Sequence, residues 1–255
     1  MKIKTLQWNI GGGWIREEKS DATKSASYSN YDLNYIVTIL KSQMPDVITL
    51  QETHYNKHLN QTEVIANKLG YKYFVNDTYD NSHIDKDFKL GQAIISKYEI
   101  TEHDFEFYYN PKLKVVYEGD KWITHDKGAT TCLIRIKDSI VEFKSTHSTP
   151  FEKFKVDYSN PKVQKVIRTM EKYLSPKENT CIIQGDFNAD KRSLKKTFPG
   201  LFADEKLDEI KQESATTPKN SRYDHVLYKN VINLNTRVIA DVLTDHFPIV
   251  SEFEI

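Results

Sequence analysis

Cys181-Ile182-Ile183-Gln184-Gly185-Asp186-Phe187-Asn188-Ala189 is the stretch that decides how this chain folds. An apolar run of strand length stops at a glycine, and an acid, an aromatic and an amide follow at once. The run reads as a buried strand whose polar residues stand at its end. The same arrangement recurs along the chain. Asn9 ends a strand over Ile3–Ile10, Gln51-Glu52 ends the strand that opens at Val47, and Thr146-His147 ends another. Thr244-Asp245-His246 precedes a last strand, Pro248–Phe253. A carboxylate or amide inside a strand covered on both faces is a costly unpaired group. At strand ends the same residues converge on one rim, which is where open α/β sheets place their sites.

Between these strands the periodicity turns helical. Asp32 is an N-cap ahead of Leu33, Ile36, Val37 and Leu40. A second helix carries Val64, Ile65 and Leu69 and ends at Gly70, and a third carries Val163, Val166, Ile167 and Met170. Further strands are expected at Tyr71–Val75, Ala93–Ser96, Tyr223–Tyr228 and Val238–Val242, with a hairpin over 130–146. Gly11–Asn30 and Asn76–Leu90 read as long polar loops, and Phe105–Trp122 as an aromatic-rich segment suited to lining a cleft. No repeat or linker divides the 255 residues, so a single domain over 1–255 is expected.

Composition narrows the function. Lys and Arg total 36 and Asp and Glu total 36, so bulk positive charge of the kind histone-like or polybasic membrane-surface proteins rely on is absent. The pairs Lys191-Arg192 and Lys195-Lys196 read as a solvated face, not a nucleic-acid track. Cys132 and Cys181 lie in apolar runs and form no disulfide framework. No apolar window reaches transmembrane length and the N-terminus has no signal-peptide core, from which a cytoplasmic location is expected.

The rim residues then suggest chemistry. Glu52, Asp186 and Asp245 offer carboxylate oxygens and Asn9 and Asn188 amide oxygens, a hard donor set suited to Mg²⁺, or Mn²⁺ in its place. His147 and His246 supply proton transfer or bind an oxyanion. There is no Gly-x-Ser-x-Gly elbow, phosphate-binding Gly-x-x-x-x-Gly-Lys loop or Cys/His zinc spacing. His54, His58, His83, His103 and His125 stand in polar context and read as solvent-exposed.

Taken in order, Trp8-Asn9, Leu50-Gln51-Glu52, Gly91-Gln92-Ala93-Ile94-Ile95-Ser96-Lys97, Thr146-His147, Gly185-Asp186-Phe187-Asn188-Ala189, Tyr223-Asp224-His225-Val226 and Thr244-Asp245-His246-Phe247-Pro248 resemble the endonuclease/exonuclease/phosphatase superfamily, the deoxyribonuclease I-like fold. The resemblance spans residues 3 to 253. It implies an α/β four-layer sandwich, two packed and mostly antiparallel β-sheets flanked by helices. It also implies that Glu52, Asn9 and Asp245 hold the metal, that Asp186 positions or deprotonates the attacking water, and that Asn188 holds a phosphate oxygen. His246, oriented by Asp224, would contact the scissile phosphate, and His147 would stand on the leaving-group side with Glu102 or Glu106 as its carboxylate. His147 stands where abasic-site endonucleases of the superfamily carry tyrosine. Arg222-Tyr223-Asp224-His225 replaces the Trp-Cys-Asp-Arg of inositol phosphatases, so both branches are disfavoured.

The expected partner is therefore a phosphate-ester substrate, nucleic acid among the candidates. The leading reading is a Mg²⁺-dependent phosphodiesterase or nuclease. The alternatives are a phosphomonoesterase for a small phosphorylated sugar, lipid headgroup or nucleotide, and a non-catalytic binding module on the same scaffold.

Overall fold

A computed structural model describes residues 1–117, 119–190, 192–205 and 207–255. In chain order it runs β1 (Lys2–Asn9), β2 (Trp14–Arg16), β3 (Tyr28–Tyr31), α1 (Leu33–Gln43), β4 (Val47–Tyr55), α2 (Gln61–Leu69), β5 (Tyr73–Asn81), β6 (Lys89–Ser96) and β7 (Glu99–Phe107). A small hairpin of β8 (Lys114–Tyr117) and β9 (Asp120–Ile123) follows, then β10 (Gly128–Ile136), β11 (Ser139–His147), α3 (Pro161–Leu174) and β12 (Cys181–Asp186). Short helices α4 (Leu194–Thr197) and α5 (Pro199–Phe202) lead to β13 (Asp208–Glu209), β14 (Asp224–Lys229), β15 (Ile232–Val238) and β16 (Ile249–Glu254). No described helix is long and apolar enough to cross a membrane.

Two six-stranded sheets result, ordered β15-β16-β1-β4-β6-β5 and β13-β14-β12-β11-β10-β7. β1 with β4, and β11 with β12, are parallel pairs joined through α1 and α3; the other pairings are antiparallel. Strand alternation sorts the side chains into layers. Leu6, Trp8, Ile48 and Leu50 turn outward onto Ile36, Val37 and Leu40 of α1 and Ile65 and Ala66 of α2. Cys181, Ile183 and Leu227 turn outward from the second sheet onto Val163, Val166, Ile167 and Met170 of α3. Between the sheets Ile3, Val47 and Ile94 meet Phe143, Ile182 and Val226. The order helix, sheet, sheet, helix is the four-layer sandwich expected.

The seam between the sheets changes character along the strands. Ile3, Thr5, Gln7 and Asn9 share one face of β1, as do Ile182, Gln184 and Asp186 on β12 and Phe143, Ser145 and His147 on β11. Apolar residues fill the far end, hydroxyls and amides the middle, and the rim carries the ionisable groups. The middle corrects the expectation that strand interiors would hold no amide: Gln7, Gln51, Gln92 and Gln184 are all fully buried. Each has a partner supplied across the seam or along it. Gln7 Nε2 donates to Gln51 Oε1 and to Asp224 Oδ1, both at 2.8 Å, and Gln184 Nε2 donates to Thr5 Oγ1 at 2.9 Å. Gln51 Nε2 donates to Ser145 Oγ at 3.0 Å. Gln92 Nε2 reaches Ser145 O at 3.0 Å.

Several boundaries also differ. Only 82–88 of the segment 76–90 is loop, because β5 runs through Asn81 and β6 starts at Lys89. β5 is a sheet edge, so its polar side chains meet solvent or local partners: Asp77 Oδ2 accepts from Thr130 Oγ1 at 2.6 Å. Gly11–Asn30 contains the pair β2–β3, and Phe105 and Phe107 belong to the edge strand β7. The strand expected at Val238–Val242 lies earlier, at Ile232–Val238, where it can register against β16. β4 does not stop at Glu52 but bulges there and continues to Tyr55. Arg192, Lys195 and Lys196 are exposed as expected, and Lys191 lies outside the described residues.

Gly185 marks the closest approach in the second sheet. A Cβ there would stand 2.0 Å from Thr146 O on β11. Gly185→Ala is expected to destabilise the fold by about 3 kcal/mol, since overpacking a rigid backbone contact has no cheap relief. Urea unfolding measures it, and an unchanged midpoint would show that β11 and β12 do not approach this closely.

Candidate active site

Register assembles the rim. His147 on β11 lies beside Asp186 on β12, which lies beside Asp224 on β14, so three ionisable side chains from neighbouring strands stand abreast. The facing sheet contributes Asn9 at the end of β1, paired with Gln51. At the β4 bulge Glu52 has φ 54°, an uncommon conformation for a residue with a side chain, and this turns its carboxylate toward the cleft that it helps to line. The Gly11–Gly13 turn completes the floor. Gly12, at φ 65°, lies so close to the His54 ring that a Cβ would come within 2.3 Å, and a Cβ on Gly11 would stand 3.1 Å from Asp245 Oδ1. His54 is thus buried under this turn and stacked on Phe88, not exposed as its neighbours in sequence suggested.

Asp186 is the hub. Its Oδ2 accepts from Asn9 Nδ2 at 3.2 Å and lies 3.5 Å from His147 Nε2 and 3.8 Å from His246 Nε2; its Oδ1 accepts from the Asn188 amide at 2.9 Å. Asn188, at φ 48°, turns back so that its Nδ2 donates to Ser148 O. Burial pushes the Asp186 carboxyl up to about 7 against the attraction of His246. His246 Nδ1 and Asp224 Oδ2 are 2.8 Å apart. Burial would hold the imidazole neutral, but Asp224, with Asp186 and Asp245, overrides it and keeps His246 protonated well above its ordinary range.

His147 has the opposite electrostatics. Burial and the Lys127 ammonium press its pKa well below the ordinary value, leaving a neutral imidazole. Lys127 Nζ lies 2.9 and 3.0 Å from the two ring nitrogens, and Tyr79 Oη lies 3.2 Å from Nδ1. The carboxylates that face His147 are Asp186 and, at 3.8 Å, Glu52. Glu102 and Glu106 are on β7, opposite Leu133 and Ala129, and are not its partners.

Lys127, Tyr79 and Gln7 went unread in the sequence. Lys127 is buried, lines the cleft and makes no carboxylate ion pair among the described residues, and burial pulls its pKa down to about 8. Its only local signal is that Lys127-Gly128 opens the strand paired with the one ending in His147.

The oxygens left open suit a hard cation. Burial would raise the Glu52 pKa, but His83, His147, Lys127 and His246 together outweigh it and hold the carboxyl at about 2. Glu52 accepts no hydrogen bond among the described residues, so its ionised oxygens are available. Asp245 is exposed to the cleft that it lines, and desolvation by the surrounding atoms with the nearby Glu52 charge raises its pKa, a like-charge proximity that a cation would relieve. Asp186, Asp224 and His246 also bring one ligand atom each within 4.8 Å of one another, but there Asp224 is already engaged by His246 and Gln7. The cleft has a volume of about 530 Å³, and Trp14, Tyr28, Trp122 and Tyr223 stand in its walls.

A model of the Endonuclease/Exonuclease/phosphatase family matches residues 6–246. No curated protein sequence matches the chain significantly. Among solved structures, an endonuclease/exonuclease/phosphatase from Beutenbergia cavernae DSM 12333 superposes with a TM-score of 0.75 at 14% identity, over 100% of this chain and 72% of that one. The mannosyl-6-phosphatase Bt3783 of Bacteroides thetaiotaomicron VPI-5482 gives 0.63 at 14% identity over 99% and 100% of the two chains. The 3' phosphatase NExo from Neisseria, bound to a product DNA hairpin, gives 0.62 at 16% identity over 99% and 100%. At these identities the structures establish a shared fold.

Proposed function

The chain belongs to the endonuclease/exonuclease/phosphatase family, and from that premise we propose that it is a Mg²⁺-dependent phosphoester hydrolase that cleaves a phosphodiester by in-line attack of water. The observation that carries this reading is the buried Asp186 carboxylate, held between Asn9, a neutral His147 and a protonated His246. Glu52, with Asn9 and Asp245, would hold the cation, Mn²⁺ being the alternative. When bound, it neutralises charge on the phosphate oxygens.

The protein's own groups divide the remaining work. Asp186, poised near neutral pH, orients the attacking water and accepts its proton. His246 presents Nε2 to a phosphoryl oxygen, with Nδ1 engaged by Asp224 and Asp224 in turn fixed by Gln7. Asn188 is positioned by the Asp186 and Ser148 contacts to meet a second oxygen. His147 hands a proton to the leaving oxygen and is recharged by Lys127, whose lowered pKa makes it an effective acid.

Lys127 gives this assignment a pH signature. Its ammonium is present below about 8 and lost above it, so kcat/KM should fall about tenfold per pH unit on the alkaline side. Lys127→Arg, whose guanidinium stays charged but is too weak an acid to recharge His147, should lower kcat/KM at pH 7 and lack that limb up to about pH 10. A wild-type profile flat to pH 10, or a limb that Lys127→Arg leaves in place, would remove Lys127 from the mechanism.

A phosphomonoesterase reading is favoured by one observation: a cleft of about 530 Å³ with four aromatic walls has the dimensions of a small-molecule site. Supercoiled plasmid with Mg²⁺, an EDTA control and His246→Ala separates the two. Nicking that needs both metal and His246 supports the phosphodiesterase. Intact plasmid together with phosphate release from sugar phosphates or 3'-phosphorylated nucleotides supports the monoesterase, and neither activity would sink the hydrolase reading.

A further inference from the structure

A second concavity, of about 270 Å³, lies outside the catalytic cleft and is walled by Tyr158, Gln164, Arg192, Ser193, Lys196 and Thr197 over Ile167. None of its lining side chains is acidic, and every polar one can donate a hydrogen bond. Two of the donors are already spent in holding the walls together: Gln164 Nε2 on Tyr158 O at 2.8 Å, and Thr197 Oγ1 on Ser193 O at 3.1 Å. The others are open. The Arg192 guanidinium lies 4.2 Å over the Tyr158 ring centroid. Stacking uses the flat face of a guanidinium and leaves its N–H edge free to meet paired oxygens.

No carboxylate neutralises these cations within ion-pair distance among the described residues. Asp157 feels the charge of Arg192, but its carboxylate accepts from the Ser159 amide instead, at 2.7 Å. The Ser193 hydroxyl has no hydrogen-bond partner among the described residues. Tyr158 is 8% exposed, so its ring is a fixed base for the stacked guanidinium.

Position adds to the argument. Arg192 and Ser193 follow the segment 186–188 that lines the catalytic cleft, and Tyr158 packs edge-on against Phe151, next to the cleft residue Pro150. The two loops that wall the cleft therefore also wall this pocket.

We propose that the pocket is a phosphate-binding subsite distinct from the catalytic centre, in which Arg192 and Lys196 supply the charge and the Ser193 hydroxyl a neutral donor, with the Tyr158 ring as the platform that holds the guanidinium. The phosphate comes either from a second phosphate group of the substrate bound next door or from the free anion. Binding is independent of the catalytic reading and can be measured without turnover. In the full chain with EDTA, inorganic phosphate should shift the Gln164, Ser193 and Thr197 amide resonances saturably at millimolar concentration. In the Arg192→Gln/Lys196→Gln double variant, whose altered side chains are exposed, those shifts should weaken at least about tenfold, while phosphate-induced shifts at Asn188 persist. No saturable shift in the wild type, or equal shifts in the double variant, overturns the subsite.

Kinetics with Mg²⁺ then identifies the source. A KM raised about tenfold for an oligonucleotide but unchanged for a single-phosphate ester assigns the pocket to a second phosphate of the substrate. Unchanged KM values for both, with the shifts intact, assign it to free phosphate. Absence of turnover on every ester would refute the hydrolase reading and leave the binding result standing.

Discussion

Asp186→Asn should lower kcat/KM by about 10³-fold, because it removes the carboxylate held between Asn9, His147 and His246 to which the proposed mechanism gives the proton of the attacking water. The same variant should change how stability responds to pH. The folded carboxyl titrates near 7 and the unfolded one near 3.8, because burial disfavours the charge. A raised folded pKa contributes stability that is complete below the unfolded value and is lost as pH rises through the folded one. Metal-free wild type should therefore lose up to a few kcal/mol, steadily between about pH 4 and pH 7 and with no further loss above about pH 8. Asp186→Asn should lack that loss. Melting curves at pH 5.5 and 8 in EDTA, read as the difference between the two proteins, make the comparison. Near-wild-type turnover in the variant, or parallel stability profiles, would remove Asp186 from the centre of the mechanism.

Lys144→Met should be the most destabilising of these substitutions, and it lies on the outer face of β11, away from the rim. Lys144 and Glu142 are fully buried and 3.0 Å apart. Lys144 Nζ also donates to Tyr173 O and Ser175 O, at 2.9 and 3.2 Å. Glu142 Oε2 accepts from the Lys177 and Glu178 amides, at 2.9 and 3.2 Å. The pair thus ties the end of α3, and the turn after it, to the second sheet. Removing one partner leaves the other as an uncompensated buried charge, which costs about 3–5 kcal/mol. For a chain of this size that lowers the melting temperature by roughly 10 °C. Glu142→Met/Lys144→Met should recover most of the loss, since apolar side chains replace a buried pair at little net cost. A single variant melting within about 2 °C of wild type would show that the pair carries no such role. Activity at permissive temperature should survive in both.

The motif 181–189 was legible because its features are local. A run that buries both faces and then turns polar marks a strand end regardless of what packs on it, and Asn9, His147 and Asp186 all stand at such ends, with His246 in the loop that leads into β16. Misreadings arose where partners, not neighbours, set the structure. Asn76 to Asn81 look like a loop in sequence but form an edge strand, since an edge tolerates polar side chains on its open side. His54 sits among polar residues yet is buried, because Gly12 has no side chain to keep its ring away. The buried glutamines contradicted a rule that prices an amide by its own strand, whereas their partners come from elsewhere in the fold.

By itself, then, the sequence determined most of the order of strands and helices and the chemical character of the rim, encoded in short-range alternation and strand-end polarity, while the two-sheet architecture followed only from the resemblance of its ordered motifs to a known family. Only the tertiary structure decided which polar groups act together. Gln7 holds Asp224 from 217 residues away across the seam, and Lys127 reaches His147 through the pairing of two strands. It also decided which of these groups are charged, because the burial and facing charges that set the pKa of Asp186, Lys127 and His246 exist only once the two sheets have closed on one another.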